Sequence, residues 1–167
     1  FEFTEWSHIV GSLETNLRIK EHWLLANSSH VIDLAFHFSG KPSDFNYWHS
    51  GSLDWHKTAA RFCGSGMTEK GILFSYFADW ESAGRWGLEL FTNKRRIILS
   101  PMEKLQVMLL GSTDLQEIEL DDAFDRNFKP GLYRQTAAFL LGDDSEFCTL
   151  KSQVENATVY SKMAGYD

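Results

Sequence analysis

Cysteine is scarce in this 167-residue chain: Cys63 and Cys148 lie far apart, form no CxxC pair, and so indicate neither a zinc cluster nor a disulfide framework. A reduced, cytoplasmic setting is the expectation. Positive charge is also in short supply, with 16 Lys and Arg against 23 Asp and Glu and a net charge of -7. A nucleic-acid surface needs clustered Lys and Arg to meet phosphates. The dense basic run Lys94-Arg95-Arg96 leads straight into Ile97, Ile98 and Leu99, which reads as a turn entering a strand. No apolar run reaches the roughly 18 residues of a membrane span, and the opening FEFTEW lacks the charged and apolar regions of a signal peptide. The signatures GxGxxG, GxxxxGKS/T, GxSxG and HExxH are missing too. Nothing in the chain by itself is therefore expected to bind a nucleotide or to supply an activated nucleophile. The chain begins at Phe1 without an initiator methionine, inside an alternating strand-like pattern, so it is expected to be a portion of a longer polypeptide.

Apolar residues are plentiful. At 43% hydrophobic, a chain of this length can bury a substantial core as one ordinary globular domain. Phe1, Phe3 and Trp6 alternate with Glu2 and Glu5 as in a strand, and the polar stretch from Ser12 to Lys20 reads as a connection or an outer strand. A helix is expected over about 29–39, with Asn27, Ser28 and Ser29 as N-cap candidates and Gly40 followed by Pro42 as the stop.

Strands are expected over 44–50, 55–63, 70–80, 85–92, 95–100, 103–110 and 114–120. Gly51-Ser52, Gly64-Ser65-Gly66, Ser82-Ala83-Gly84, Asn93-Lys94, Pro101 and Gly111-Ser112 supply the turns. Connections this short imply antiparallel neighbours. Two helices follow, one from Pro130 to Gly142 and one over roughly 148–164 with Leu150, Val154, Ala157 and Ser161 on one stripe. The order describes an α+β domain: a large, mostly antiparallel sheet with helices packed on one face.

The segment NSSHVIDLAFHFSG, residues 27–40, raises the functional question. In a helix, His30, Asp33 and His37 fall within an arc of about 60°, while apolar side chains occupy the rest of the circumference. A helix apolar nearly all round is normally buried, and buried ionisable groups are costly unless paired, metal-bound or facing a wet cleft. Three readings follow. Two imidazoles and a carboxylate could bind a metal, although His30 and His37 are two turns apart, about 10 Å of rise. Asp33 and His37, at i and i+4, could serve acid-base chemistry, with the carboxylate holding the imidazole. Alternatively, Asp33 caps a loop and the histidines satisfy core hydrogen bonds. The remaining His8, His22, His49 and His56 stand beside or close to aromatic residues and read as sheet-face or packing groups. Trp48, Trp55, Trp80 and Trp86 lie on or near strands, where an uncovered sheet face would make a partner interface or a ligand cleft.

Taken together, these residues resemble the glucose-fructose oxidoreductase, inositol dehydrogenase and rhizopine-catabolism (Gfo/Idh/MocA) family of NAD(P)-dependent sugar oxidoreductases. Its C-terminal domain carries small residues followed by an Asp and, four positions on, a His. Asn27-Ser28-Ser29 stand where the family usually has glycines, and Asp33 and His37 fall on its Asp and His. Trp23, Gly40, Pro42, RWGLELFTNKRRIIL at 85–99, GLYRQTAAFLLG at 131–142 and the following CTLKSQVENATVYSKM also look like this domain.

The resemblance implies that residues 1–167 form a single substrate and oligomerisation domain, and that the family's N-terminal dinucleotide-binding domain, with its catalytic Lys, is absent from the chain. His37 would be the acid-base group on the substrate hydroxyl, Asp33 its orienting or substrate-binding partner, and His30, Arg85 and Trp86 further substrate contacts. The implied reaction is hydride transfer between a sugar, or nucleotide-activated sugar, and NAD or NADP bound mainly by the other domain. The isolated chain is expected to be inactive, to hold no cofactor or metal of its own, and to self-associate through the open sheet face. The alternative is a non-catalytic binding or oligomerisation module of the same fold.

Overall fold

A computed structural model describes residues 13–166, with side chains from Leu17 onward. The expected strand around Phe1, Phe3 and Trp6, and His8, lie outside the described residues. The elements run α1 (Leu13–Glu21), a π-helical turn (Leu24–Ser28), α2 (Ser29–Ser39), β1 (Pro42–Ser50), β2 (Arg61–Thr68), β3 (Leu73–Asp79), β4 (Leu88–Phe91), β5 (Arg95–Leu99), β6 (Leu105–Leu109), β7 (Leu115–Ile118), α3 (Ala123–Asn127), α4 (Leu132–Leu141) and α5 (Leu150–Ala164). The α+β class is as expected, with every strand pairing antiparallel. The strands are shared between two sheets, β1-β2-β3 and β4-β5-β6-β7, and the backbone gathers into two compact units divided after Trp86 and again at Lys151.

The first unit is built on β1-β2-β3, with α2 and α5 against one face. Register places Phe45, Gly66 and Phe74 in one row, Tyr47, Gly64 and Tyr76 in the next, and His49, Phe62 and Ala78 in a third. On this face Phe36 of α2 meets Phe74 edge-on at 5.3 Å between ring centroids, and Thr68 Oγ1 donates to the Ser39 carbonyl at 2.8 Å. The opposite face presents Trp48, Met67, Leu73 and Phe77 to solvent, with Trp48, Cys63 and Phe77 in one cross-strand row.

Three sequence expectations change here. The stretch from Ser12 to Lys20 is mostly helix α1. Gly64-Ser65-Gly66, read as a turn, lies inside the central strand β2. A Cβ on Gly64 would run into the Tyr76 ring and the Asn46 carbonyl, and one on Gly66 into the Asp44 carbonyl and Phe45. The strand omits side chains there because the Tyr76 ring and the backbone of β1 lie close against it. Residues 55–60, read as strand, instead bend back beneath the sheet end, where His56 packs against Trp80 at 4.4 Å and Phe62 at 5.4 Å.

The C-terminal end of α5 is fastened by that same region. His49 Nε2 donates to the Met163 carbonyl at 2.8 Å and Thr58 Oγ1 to the Ala164 carbonyl at 2.6 Å. Both are carbonyls of the last helical turn, which have no partner within the helix. Next, Gly165 takes φ +65° where a Cβ would strike the His49 imidazole. His49 and His56 thus hold packing positions, as expected.

In the second unit, Leu88, Leu90, Ile97, Leu99, Leu105, Val107 and Ile118 share one face of β4-β5-β6-β7. On the other face Arg96 donates to Glu89 through Nε at 3.0 Å, with its guanidinium 5.1 Å from the Phe91 ring centre. The basic run therefore does open a strand, following a turn in which Thr92 Oγ1 accepts from the Lys94 and Arg95 amides. Phe124 and Phe128, in and just after α3, stack on Tyr133 of α4 at 4.2 and 5.0 Å.

Candidate active site

Helix α2 spans the expected residues, yet Asn27, Ser28 and Ser29 do not cap it. Trp23 and Ser28 already have helical backbone angles, and the π-helical turn runs directly into α2. Ser29 Oγ instead donates back to the Leu25 carbonyl at 2.8 Å. Wide turns of this kind are frequent at functional positions. At the other end Gly40, at φ 86°, sends its amide to the Phe36 carbonyl at 2.8 Å and stops the helix as expected.

The polar seam divides into three environments. His30 is exposed at the start of α2, and its ring lies 5.8 Å from that of Trp86. Asp33 is half-buried between α2 and α5. Its Oδ1 accepts from Asn156 Nδ2 at 2.9 Å and from the Tyr160 hydroxyl. His37 is exposed one turn further on, with its ring edge-on to Phe38 at 5.4 Å. The carboxylate is thus held by α5, and no hydrogen bond joins it to His37.

Burial pushes the Asp33 carboxyl above its ordinary range, and the Asn156 hydrogen bond and the nearby His30 charge partly offset that rise. Lys41, just past the helix, pairs with Glu155 on the turn of α5 beside Asn156, and that pairing lowers the Glu155 carboxyl below its usual range. Tyr160 is almost completely buried, at 1% exposure. Asp33 Oδ2 bonds to no described residue and is not among the buried, unpartnered polar atoms, so it reaches solvent.

Of the sequence candidates, the structure brings Asp33 and His30 together on one seam and sets Trp86 beside His30. Arg85 is exposed next to Trp86 in sequence. Asn156 and Tyr160 were missed, because the stripe assigned to the last helix was the wrong one. Leu150 and Val154 are 81% and 62% exposed, whereas Tyr160, Met163 and Ala164 face inward. The available signal was the i, i+4 pair Asn156 and Tyr160, two polar side chains in line with the buried end of that helix.

Among the described residues no group of three His, Cys, Asp or Glu side chains gathers as a metal site, and no helix is long and apolar enough to cross a membrane. A cleft of about 510 Å³ lies along α4, lined by Leu132, Gln135, Thr136, Phe139, Phe147 and Cys148. None of these belongs to the seam.

The fold and the seam define a class: an antiparallel α+β domain whose first sheet is covered by a helix bearing a buttressed carboxylate between two solvent-facing imidazoles. Two solved structures are similar to part of this chain, levoglucosan dehydrogenase with NADH and levoglucosan and the same enzyme with NADH and L-sorbose. The TM-scores are 0.49 and 0.50, each at 18% identity, covering 59% and 60% of this chain but only 31% and 32% of theirs. This chain therefore matches about a third of the length of those structures. No family description matches the chain, and no curated protein does.

Proposed function

We propose that the chain is the substrate-binding and catalytic-residue-bearing domain of an oxidoreductase that transfers a hydride between a hydroxyl-bearing carbon of a sugar, or nucleotide-activated sugar, and NAD or NADP. The observation that carries this reading is the seam on α2, where Asp33 is buttressed from behind by α5 while His30 and His37 remain open to solvent. Packing alone would bury all three groups or leave the carboxylate without a designed partner.

In this reading His37 exchanges the proton of the reacting hydroxyl, its exposure leaving the imidazole free to approach substrate. Asp33 Oδ2 accepts from a substrate hydroxyl. His30 and Trp86 offer adjoining rings to the apolar face of a sugar, and Arg85 beside them is a further contact.

Dinucleotides sit where a parallel strand turns into a helix whose N-terminus meets the pyrophosphate, and the described strands pair only antiparallel. On this reading the cofactor belongs to a separate dinucleotide-binding domain, and this chain as a whole acts as one substrate and oligomerisation domain, self-associating through the face of Trp48 and Phe77 in a reducing cytoplasm.

The test is to read the coding sequence on both sides of the chain and assay the whole product with NAD and NADP against a panel of sugars including levoglucosan. An adjoining glycine-rich strand-turn-helix and sugar-dependent nicotinamide reduction support the reading. A complete reading frame that ends at these residues and yields no turnover overturns it in favour of a non-catalytic binding module.

A further inference from the structure

The geometry behind Asp33 specifies how its carboxylate meets a ligand. Each carboxylate oxygen offers about two acceptor positions. On Oδ1 both are taken, one by Asn156 Nδ2 at 2.9 Å and one by the Tyr160 hydroxyl. These donors come from successive turns of α5, a helix fixed at its far end by His49 and Thr58 and along its length by the Lys41 pairing with Glu155. Tyr160 is almost wholly buried, so its hydroxyl has no water to exchange for the carboxylate.

We propose that Asn156 and Tyr160 are positioning residues that lock Asp33 Oδ1 against α5, so that Oδ2 alone faces the ligand and accepts from sugar hydroxyl groups. A carboxylate with both oxygens free can bridge two neighbouring hydroxyls. This one meets the ligand through Oδ2 alone, and the selection among sugars falls on which hydroxyls come within reach of that one atom. The inference rests on the sugar-binding reading above and adds two residues to it.

The experiment uses the full chain and D-glucose with its monodeoxy derivatives as probes. Calorimetry with wild type and Asp33→Asn is expected to find one hydroxyl whose removal no longer weakens binding once Asp33 is changed. A sugar that binds with no hydroxyl coupled to Asp33 overturns the claim that Oδ2 faces the ligand. Tyr160→Phe keeps the ring and removes only the donor, so the Kd for glucose is expected to rise about tenfold with the thermal midpoint little changed. A lowered midpoint with an unchanged Kd is what a purely structural contact gives, and overturns the positioning role. Asn156→Ser, at a half-exposed position, gives the same readout should Tyr160→Phe not fold.

If glucose does not bind, the lock is decided by carbon NMR of the Asp33 carboxyl, whatever the sugar. Burial raises its titration midpoint, and the Asn156 hydrogen bond and the His30 charge lower it. Loss of a donor to the charged form raises the midpoint. A rise of about 0.5 to 1 pH unit in Tyr160→Phe supports the lock, and an unmoved midpoint refutes it.

Discussion

His56 Nε2 lies 2.7 Å from the Tyr166 hydroxyl, deep in the first unit, while its Nδ1 donates to the Ala59 carbonyl at 3.0 Å. With Nδ1 carrying the proton, Nε2 accepts from the tyrosine, whose oxygen accepts from the Leu24 amide at 3.2 Å. The imidazole is 6% exposed. Burial, with the charges of His22 and His49 nearby, brings its pKa down from 6.5 to about 4. The unfolded chain therefore binds a proton below pH 6.5 that the folded chain refuses until about pH 4. The stability held by the neutral ring is fully present above pH 6.5 and declines as pH falls, by up to about 3 kcal/mol. Urea midpoints at pH 7 and 4.5 check this, and His56→Gln is expected to flatten the difference.

His37 is exposed, so its truncation removes chemistry and not packing. In the complete oxidoreductase His37→Ala is expected to lower kcat by ~10² to 10⁴ while unfolding free energy stays within about 0.5 kcal/mol of wild type. Steady-state kinetics read beside a urea melt separate the two. An active but easily unfolded variant would return the seam to plain core packing.

Gly64→Ala pushes a methyl group into the Tyr76 ring and the Asn46 carbonyl. Overpacking of that kind costs about 1 to 3 kcal/mol, since the backbone carbonyl cannot step aside without breaking the β1–β2 ladder. Gly71→Ala serves as the contrast, because open space surrounds that position and its penalty comes from φ +74° alone. Denaturant midpoints of both variants decide whether the central strand or its turn is the tighter place.

Trp48 and Phe77 flank Cys63 on the uncovered face and are 58% and 59% exposed. Self-association there is expected to respond to a charge placed in the row. Phe77→Glu should shift the light-scattering mass toward the monomer at concentrations where wild type is larger. A wild type that is monomeric at every concentration removes the oligomerisation role.

How much of this was legible depends on the range over which each signal acts. Helix α2 could be read from its own residues because Gly40 and Pro42 end it locally. The strands from Leu88 to Ile118 were legible for the same reason, each being bounded by its own turn. Gly64 and Gly66 were misread because glycine marks a turn only by default, and their real cause is the Tyr76 ring from β3 and the close backbone of β1. Residues 55–60 were taken for strand on their aromatic and apolar content, which serves instead to bury His56. The seam's chemistry was visible in His30, Asp33 and His37, but its support was not. Asn156 and Tyr160 lie 123 and 127 residues further along the chain, and no local pattern names a partner at that distance.

That separation gives Asp33 a history. A ribosome releases residues in order, at roughly 5 to 20 per second, so α2 emerges and meets its sheet well before α5 exists. Through that interval the carboxylate is held only by water, and any ligand pocket on the seam is unfinished. The site closes from the C-terminal side, when the last helix docks, and a chain released before Tyr160 is made would carry the whole motif without the support that sets its geometry.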